Sequence, residues 1–119
     1  MPSLNKVMLI GNLGRDPEIR YTEGSGDSVC NFSVATTDKW TNKNGDAQER
    51  TEWHDCVVFG KTADLMMEYT KAGTLLYVEG ALQTRSWEDR ETGEKKYKTE
   101  IKAFKVNWLH NVKRMEDHE

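Results

Sequence analysis

Apolar and polar residues alternate with a period of two along most of this 119-residue chain. Cys30, Phe32 and Val34, for example, would all leave the same face of a strand, because successive side chains point to opposite faces. The period changes at 62–72, where apolar residues recur at helical spacing before Gly73. The pattern therefore predicts a mainly β protein that contains one short helix.

The order of these segments limits the topology to a few choices. The helix is expected to start at Thr62, which can cap its first turn, and to stop at Gly73. The strands are expected at 4–13, 28–37, 51–59, 74–87 and 95–109, with a short extended piece at 19–21. Three strands, a helix and two strands predict a five-stranded Greek-key OB-fold barrel with the helix between strands 3 and 4. An SH3-like barrel and an open α+β sheet are the competing folds.

The length and charge content of the sequence predict a single polar domain. Charged residues make up 31% of the chain, and the formal net charge of −3 argues against a polycation that binds nucleic acid by bulk charge. No apolar run is longer than that of Val7–Ile10, which is far too short for a membrane span, and the first residues do not form a secretory signal. We expect one domain over residues 1–112, a short disordered acidic C-terminus over 113–119 and no membrane partner.

The two cysteines have an ordinary structural explanation. Cys30 and Cys56 are too few for a zinc site, and they do not form a CxxC pair. A disulfide would require the two residues to lie within bridging distance. We expect two buried free thiols rather than a redox or metal role, and no metal or cofactor.

Large aromatic residues stand at strand positions on the side away from the predicted core. Trp53 and Phe59 are six residues apart in one strand, so both rings leave the same face, about 20 Å apart. In the next strand Arg85 and Trp87 share a face, and the opposite face carries the predicted core residues Leu76, Val78 and Leu82. Trp40 stands at the end of a strand, where polar loop residues begin.

Exposed rings beside cations suit an unpaired nucleic acid strand. Bases stack on such rings with about 1–3 kcal/mol each, and phosphates meet Lys and Arg side chains, whereas a duplex hides its base faces. Any single ring is as readily part of an ordinary barrel core, so the interpretation depends on the group as a whole. The cations interleaved with the rings are Lys6, Arg20, Lys43, Lys61 and Arg85.

Three groups of motifs resemble bacterial-type single-stranded DNA-binding proteins. They are Asn5–Val7 with Gly11–Tyr21, Thr51–His54 with Phe59–Lys61, and Tyr77–Gly80 with Thr84–Trp87. The resemblance runs in uninterrupted order from Asn5 to Leu109. It implies sequence-independent binding and protection of single-stranded DNA in replication, recombination and repair. It further implies a protein without enzymatic activity that is cytoplasmic and nucleoid-associated.

The resemblance also implies roles for individual positions. The stacking residues would be Trp40, Trp53, Phe59 and Trp87. The phosphate contacts would come from Lys6, Arg20, Lys43, Lys61, Lys71 and Arg85. Family members are usually homotetramers, which would place His54 and Tyr77 at subunit contacts. A histidine whose hydrogen bonds are satisfied on the inner face of a strand is an equally good interpretation of His54.

Two features depart from the family pattern. Asp55 lies between Trp53 and Phe59, on their face, where family members often carry a cation, so we expect weaker or less salt-sensitive binding. The sequence ends with the acidic Met115–Glu119 and lacks the long flexible linker and Pro-Phe tip through which family members recruit replication and repair proteins. Recruitment of such partners through a tip of that kind is therefore in doubt.

Two other classes of function compete with DNA coating. An OB-fold nuclease would need carboxylates clustered around a metal, and Asp16, Glu18 and Asp27 fall in turns, where solvated charges are the commoner explanation. A protein-interaction module would use the sheet face to bind a protein. Trp108 keeps this second alternative open, because the sequence does not say whether its ring lies in the core or on a contact surface.

Overall fold

The computed structural model describes residues 1–110, which form six strands and one helix. In chain order the elements are β1 (Val7–Leu13), β2 (Glu18–Tyr21), β3 (Ser28–Thr41), β4 (Ala47–Phe59), α1 (Lys61–Tyr69), β5 (Leu75–Glu88) and β6 (Lys95–His110). The predicted C-terminal segment 113–119 lies outside the described residues. No helix within residues 1–110 has the length and apolar character to cross a membrane.

Five of the strands close into a barrel. β5 pairs with β1 and β6, β6 pairs with β4 in parallel, and β4 pairs with β3. The ring closes where Asn12 and Leu13 of β1 pair with Ala35 and Val34 of β3. β2, the predicted extended piece, pairs with the start of β3 outside the ring. The five-stranded barrel with its helix between the third and fourth barrel strands is thereby confirmed.

The barrel interior holds the predicted apolar positions, including both cysteines. Cys30 pairs with Val58 across the β3–β4 ladder, and Cys56 is two residues from Val58, so the two buried free thiols are diagonal neighbours. Burial raises the pKa of Cys30 to about 11. Burial, with a smaller effect of the nearby Asp55 and Glu100 carboxylates, raises the pKa of Cys56 to about 12.

Two hairpins continue beyond the barrel. The β3–β4 arm, residues 37–51, and the β5–β6 arm, residues 82–99, have few buried side chains. Leu82 is exposed at the base of the second arm, so its prediction as a core residue was wrong. The strand alternation continues through this position, but the barrel that would cover the side chain has ended.

The first strand begins later than the sequence pattern predicts, at Val7 rather than Leu4. The side-chain amide of Asn5 makes two hydrogen bonds with the backbone of Leu82. Nδ2 of Asn5 donates to the Leu82 carbonyl at 2.8 Å, and the Leu82 N–H donates to Oδ1 of Asn5 at 2.9 Å. The side-chain amide thus takes the place of one backbone pair of the β1–β5 ladder.

Both predicted ends of the helix were wrong. Gly60 precedes the first turn with φ of 71°, no side chain caps the helix, and Thr62 lies inside it. At the other end Thr70 is already extended, and both its N–H and its hydroxyl donate to the Met66 carbonyl, at 3.0 and 2.6 Å. These bonds close the last turn before Gly73, which lies in the following loop.

The predicted alternation of β6 holds through the buried Ile101 and Ala103 and then shifts. Irregularities in the β5–β6 ladder leave Phe104 and Leu109 without a partner in β5, and both side chains are exposed. An extra residue of this kind shifts the inward positions by one, which is why Val106 is the next buried side chain.

Candidate nucleic-acid interface

The four aromatic residues singled out from the sequence are exposed. Trp53 is 60% exposed, Trp40 48%, Phe59 44% and Trp87 42%. The prediction that they lie outside the barrel core is confirmed. Each offers ring surface to solvent, which a stacking base requires.

Trp53 lies in a shallow groove beside the end of β1. The groove has a volume of about 480 Å³ and is formed by Gly14, Arg15, Ser33, Trp53 and Asp55. A Cβ on Gly14 would overlap Cζ3 of the indole, so the glycine makes room for the ring. Arg15 places a cation in the same groove, a residue that the sequence analysis did not select.

Trp87 has a cation over its ring, and a carboxylate holds that cation. The guanidinium carbon of Arg85 lies 5.0 Å from the centre of the Trp87 ring. The Nε–H of Arg85 donates to Oε1 of Glu100 at 3.0 Å. The Glu100 side chain is 11% exposed, whereas that of Arg85 is 52% exposed, so the cation rather than the carboxylate meets solvent.

Phe59 also has a cation over its ring. The ammonium of Lys102, on β6, lies 5.3 Å from the centre of the Phe59 ring. Lys61, the first residue of α1, is two positions from Phe59 in the chain and is exposed. The sequence does not predict this contact of Lys102. The parallel pairing of β4 with β6 places Lys102 beside Val57, and these two strands are distant in the chain.

A charged cleft of about 440 Å³ includes Arg85, the cation over Trp87, among its lining residues. Its charged lining residues are Arg15, Arg20, Arg85, Lys98, Glu18, Asp55 and Glu100. Lys98 and Asp55 form an ion pair at 3.5 Å. Arg15 and Asp55 also line the Trp53 groove, so the two depressions adjoin each other at these residues.

Trp40 and Lys43 lie apart from this surface. Trp40 pairs with Gln48, and the register of the β3–β4 arm places its side chain on the face opposite to Trp53. Its surroundings are residues of its own arm. Lys43 is exposed in the turn at the tip of the arm. The structure therefore does not bring these two residues together with the other candidates.

Lys6 is bound into a cluster on the outer face of β1 and β5. Its ammonium lies 2.6 Å from Oε1 of Glu79, and the Tyr77 hydroxyl donates to Oε2 of Glu79 at 2.9 Å. The hydrogen bond to Glu79 raises the pKa values of Lys6 and Tyr77, and the bonds from both lower the pKa of Glu79. The predicted phosphate contact at Lys6 and the predicted subunit contact at Tyr77 thus share one cluster.

The remaining candidates have structural partners. Nε2 of His54 lies 2.9 Å from Oγ1 of Thr36, and the ring is half-buried, which agrees with the satisfied-histidine interpretation. Lys71 lies in the α1–β5 turn, where its N–H donates to Oγ1 of Thr74 at 3.1 Å. Asp16 accepts a hydrogen bond from the N–H of Ala72 at 2.8 Å and so connects the loop after β1 to this turn.

Trp108 is a packing residue at the end of the barrel. It is half-buried against the core, and its ring stacks on Tyr69 of α1 with the ring centres 6.2 Å apart. Its partner in the β5–β6 ladder is the fully buried Leu76. The alternative of a protein-interaction module therefore loses the support that Trp108 gave it, because this ring packs against the barrel.

Among residues 1–110, the structure holds no group of three or more His, Cys, Asp or Glu that could hold a metal ion. The carboxylates Asp55 and Glu100, which do lie close to the rings, are paired with Lys98 and Arg85. What this surface offers is stacking area and cations.

Comparison with known proteins agrees with this surface. Residues 4–109 match the pattern of the single-strand binding protein family. The chain is similar to "Single-stranded DNA-binding protein 1" of Chlorobaculum tepidum, with 58% identity over 106 residues that cover 89% of this chain and 65% of that protein. It is also similar to the protein of the same name from Xylella fastidiosa, with 51% identity over 110 residues that cover 92% of this chain and 79% of that protein.

Solved structures show the same barrel. A Plasmodium falciparum SSB in complex with ssDNA superposes with a TM-score of 0.80 and 36% identity, covering 92% of this chain and 98% of that one. A deletion mutant of the single-stranded DNA binding protein from Thermus aquaticus gives a TM-score of 0.76 and 33% identity, covering 91% of this chain and 51% of that one. The chain thus spans just under two thirds of the Chlorobaculum relative and about half of the Thermus chain.

Proposed function

This chain belongs to the single-strand binding protein family, and on that premise we propose that it binds and protects single-stranded DNA without sequence preference in replication, recombination and repair. Its location would be the cytoplasm, beside the nucleoid. The protein would act by stoichiometric binding, with no bond made or broken in the DNA. The observation that carries the proposal is the pair of adjoining depressions that share Arg15 and Asp55, one formed by the exposed Trp53 and the other lined by Arg85, the cation that lies over Trp87.

The mechanism follows from the chemistry of this surface. Bases stack on the open ring faces of Trp53, Phe59 and Trp87, and any base can do so because every base has a π face. Phosphates between the stacked bases meet the cations beside the rings, Arg15, Arg85 and Lys102. A DNA duplex keeps its base faces inside the stack, so the surface favours the unpaired strand.

We extend the proposal to a homo-oligomer, with a tetramer as the expected form. β1 pairs with β5 through Val7–Asn12, but residues 7–11 have no second neighbouring strand within the part of the chain that the structure describes. Met8 and Ile10 are exposed on this strand. An open strand edge with apolar side chains can pair with the same edge of a second copy.

Titration with oligo(dT) tests the proposed function. We expect saturable quenching of indole fluorescence with a defined number of nucleotides per chain, weaker binding at higher salt, and no quenching by a matched duplex. The loss of ring exposure on binding should also slow the reaction of the indoles with a water-soluble quencher. Equal affinity for duplex and single strand, or an absence of binding at low salt, would contradict the proposal.

A further inference from the structure

One side of β6 carries a lysine at three of four successive outward positions. The β5–β6 register places Lys96 beside Trp87, Lys98 beside Arg85 and Lys102 beside Ala81. Side chains of paired residues share a face, so these lysines lie on the face of Trp87. We call Lys96, Lys98 and Lys102 the β6 lysine row.

The row has an aromatic residue at each end. Lys96 is directly across from Trp87, and Lys102 lies over the ring of Phe59. Six residues of strand separate the two end lysines, which is about 20 Å. The row therefore runs from one stacking ring to another, over a distance that several nucleotides would span.

The fourth outward position, Glu100, does not interrupt the positive charge. Its carboxylate is bound by Arg85 and is almost covered, so the guanidinium takes its place at the surface. Lys98 is held by Asp55, whose side chain is half-exposed. In a chain with a formal net charge of −3, this face gathers four cations against two carboxylates.

We propose that the β6 lysine row is a phosphate-binding track that guides a DNA strand from Phe59 to Trp87, with Lys96 and Lys102 as its two end contacts. This inference rests on the proposed binding of single-stranded DNA and names the path that the strand takes. Glu100 acts as a positioning residue, because it fixes Arg85 over one face of Trp87 and leaves the other face for a base.

The strand itself supplies a matched control. Lys95 is next to Lys96 but leaves the opposite face of the arm, where it lies over the ring of Tyr97. Lys105 is on the same face as the row but lies beyond the irregularity at Phe104, outside the Lys96–Lys102 segment, and its ladder partner is Glu79, whose carboxylate balances its charge. A double substitution Lys95→Gln/Lys105→Gln therefore removes the same charge from the same strand but leaves the row intact.

The experiment compares Lys96→Gln/Lys102→Gln with this control by oligo(dT) titration over a range of salt concentrations. Each phosphate neutralised on a single strand contributes about 0.7 to the slope of log affinity against log salt, so losing two contacts should flatten the slope by about 1.4. The control should keep the parent slope. Lys96→Arg/Lys102→Arg, which retains the charges, should restore it.

The outcomes separate the track from the function on which it rests. An unchanged slope in Lys96→Gln/Lys102→Gln, while the parent protein binds oligo(dT), would overturn the track alone. An equal flattening in the Lys95→Gln/Lys105→Gln control would overturn it too, because the effect would then be one of overall charge. A parent protein that binds no oligo(dT) at any salt would overturn both proposals.

Discussion

The indole of Trp53 occupies the space that a side chain on Gly14 would need, since a Cβ there would overlap Cζ3 of the ring. The two residues are far apart in the chain, and the pairing of β1 with β3 that closes the barrel brings Gly14, the residue after β1, beside the ring of Trp53 on β4. Because glycine has no side chain, position 14 leaves the space in which this candidate stacking ring lies.

Gly14→Ala should weaken DNA binding more than it weakens the fold. The added methyl would push the Trp53 ring out of its groove, which is open to solvent and can accept the change. We expect a loss of affinity of the order of one stacked base, about 1–3 kcal/mol, in oligo(dT) titrations. Gly11→Ala is the contrasting variant, because its methyl would meet the backbone of Ala35 and should lower the free energy of unfolding instead. The interpretation fails if Gly14→Ala binds like the parent.

Asp55→Asn should make binding more dependent on salt. The substitution removes the carboxylate that pairs with Lys98 and leaves this lysine to neutralise a phosphate. The slope of log affinity against log salt should steepen by about 0.7, with tighter binding at low salt. Glu23→Gln, an equal change of charge in the exposed β2–β3 turn, should leave the slope unchanged. A slope that stayed constant or became shallower in Asp55→Asn would count against the assigned role of Lys98.

Substitution of Trp53 or Trp87 should lower the affinity for DNA, whereas substitution of Trp108 should lower the stability of the fold. Trp53→Ala and Trp87→Ala should each lose about 1–3 kcal/mol of affinity, which is roughly 5- to 150-fold in Kd. Trp108→Leu should bind DNA like the parent but unfold more easily, by about 1 kcal/mol, because the stack on Tyr69 is lost. Fluorescence titration and urea unfolding of the three variants measure both quantities. A large affinity loss in Trp108→Leu would show that its ring is part of the interface.

The buried thiols should make the protein less stable at alkaline pH. The folded pKa values of Cys30 and Cys56, about 11 and 12, are above those of an exposed thiol, so the fold favours the protonated forms. Their contribution to stability is complete below the unfolded pKa, near 8.5, and is lost as pH rises through the folded values, by at most about 1.4 kcal/mol per pH unit for each thiol.

Urea unfolding at several pH values measures this effect. The variant Cys30→Ala/Cys56→Ala serves as the control, and its stability should fall less steeply above pH 9 than that of the parent, because it has no thiol to ionise. Tyr77 and Lys6, whose pKa values are raised as well, remain in both proteins and so cancel in the comparison. Parallel curves for the two proteins would contradict the prediction.

Ile10→Glu should break the proposed oligomer. A carboxylate on the open edge of β1 would be buried and unpaired if a second copy lies there. Light scattering after size-exclusion chromatography should show a smaller mass than that of the parent. Met67→Glu, on the exposed face of α1, offers the same chemical change away from that edge and should keep the parent mass. Retention of the parent mass by Ile10→Glu would exclude the β1 edge as the contact.

The sequence predicted most of the barrel because alternation along a strand is a local property. It located the buried thiols and the exposed rings of Trp53, Phe59 and Trp87 for the same reason, since each ring stands at a position that alternation along its strand assigns to the face away from the core. It did not predict where the barrel ends along a hairpin. Leu82 continues the pattern of the core residues and yet is exposed.

The partners of the site residues could not be read from the chain, because they depend on the register between strands. The contact of Lys102 with Phe59 and the pair of Lys98 with Asp55 each join residues 43 positions apart. Lys6 is the opposite case, in which a partner was expected and a different one is found. Its sequence motif predicted a contact with phosphate, and in the structure its ammonium is paired with the Glu79 carboxylate. Alternation gives the face of a side chain, whereas its neighbour is set by the whole topology.

The arms that extend past the barrel have a dynamic consequence. With almost no apolar layer beneath residues 37–51 and 82–99, their ladders can open locally at a lower free energy than the ladders around Val34 and Val78. Amide protons in the arms should then exchange with deuterium first. A nucleotide chain lying along one arm would slow that exchange residue by residue, so isotope uptake would trace its footprint without any change to the protein.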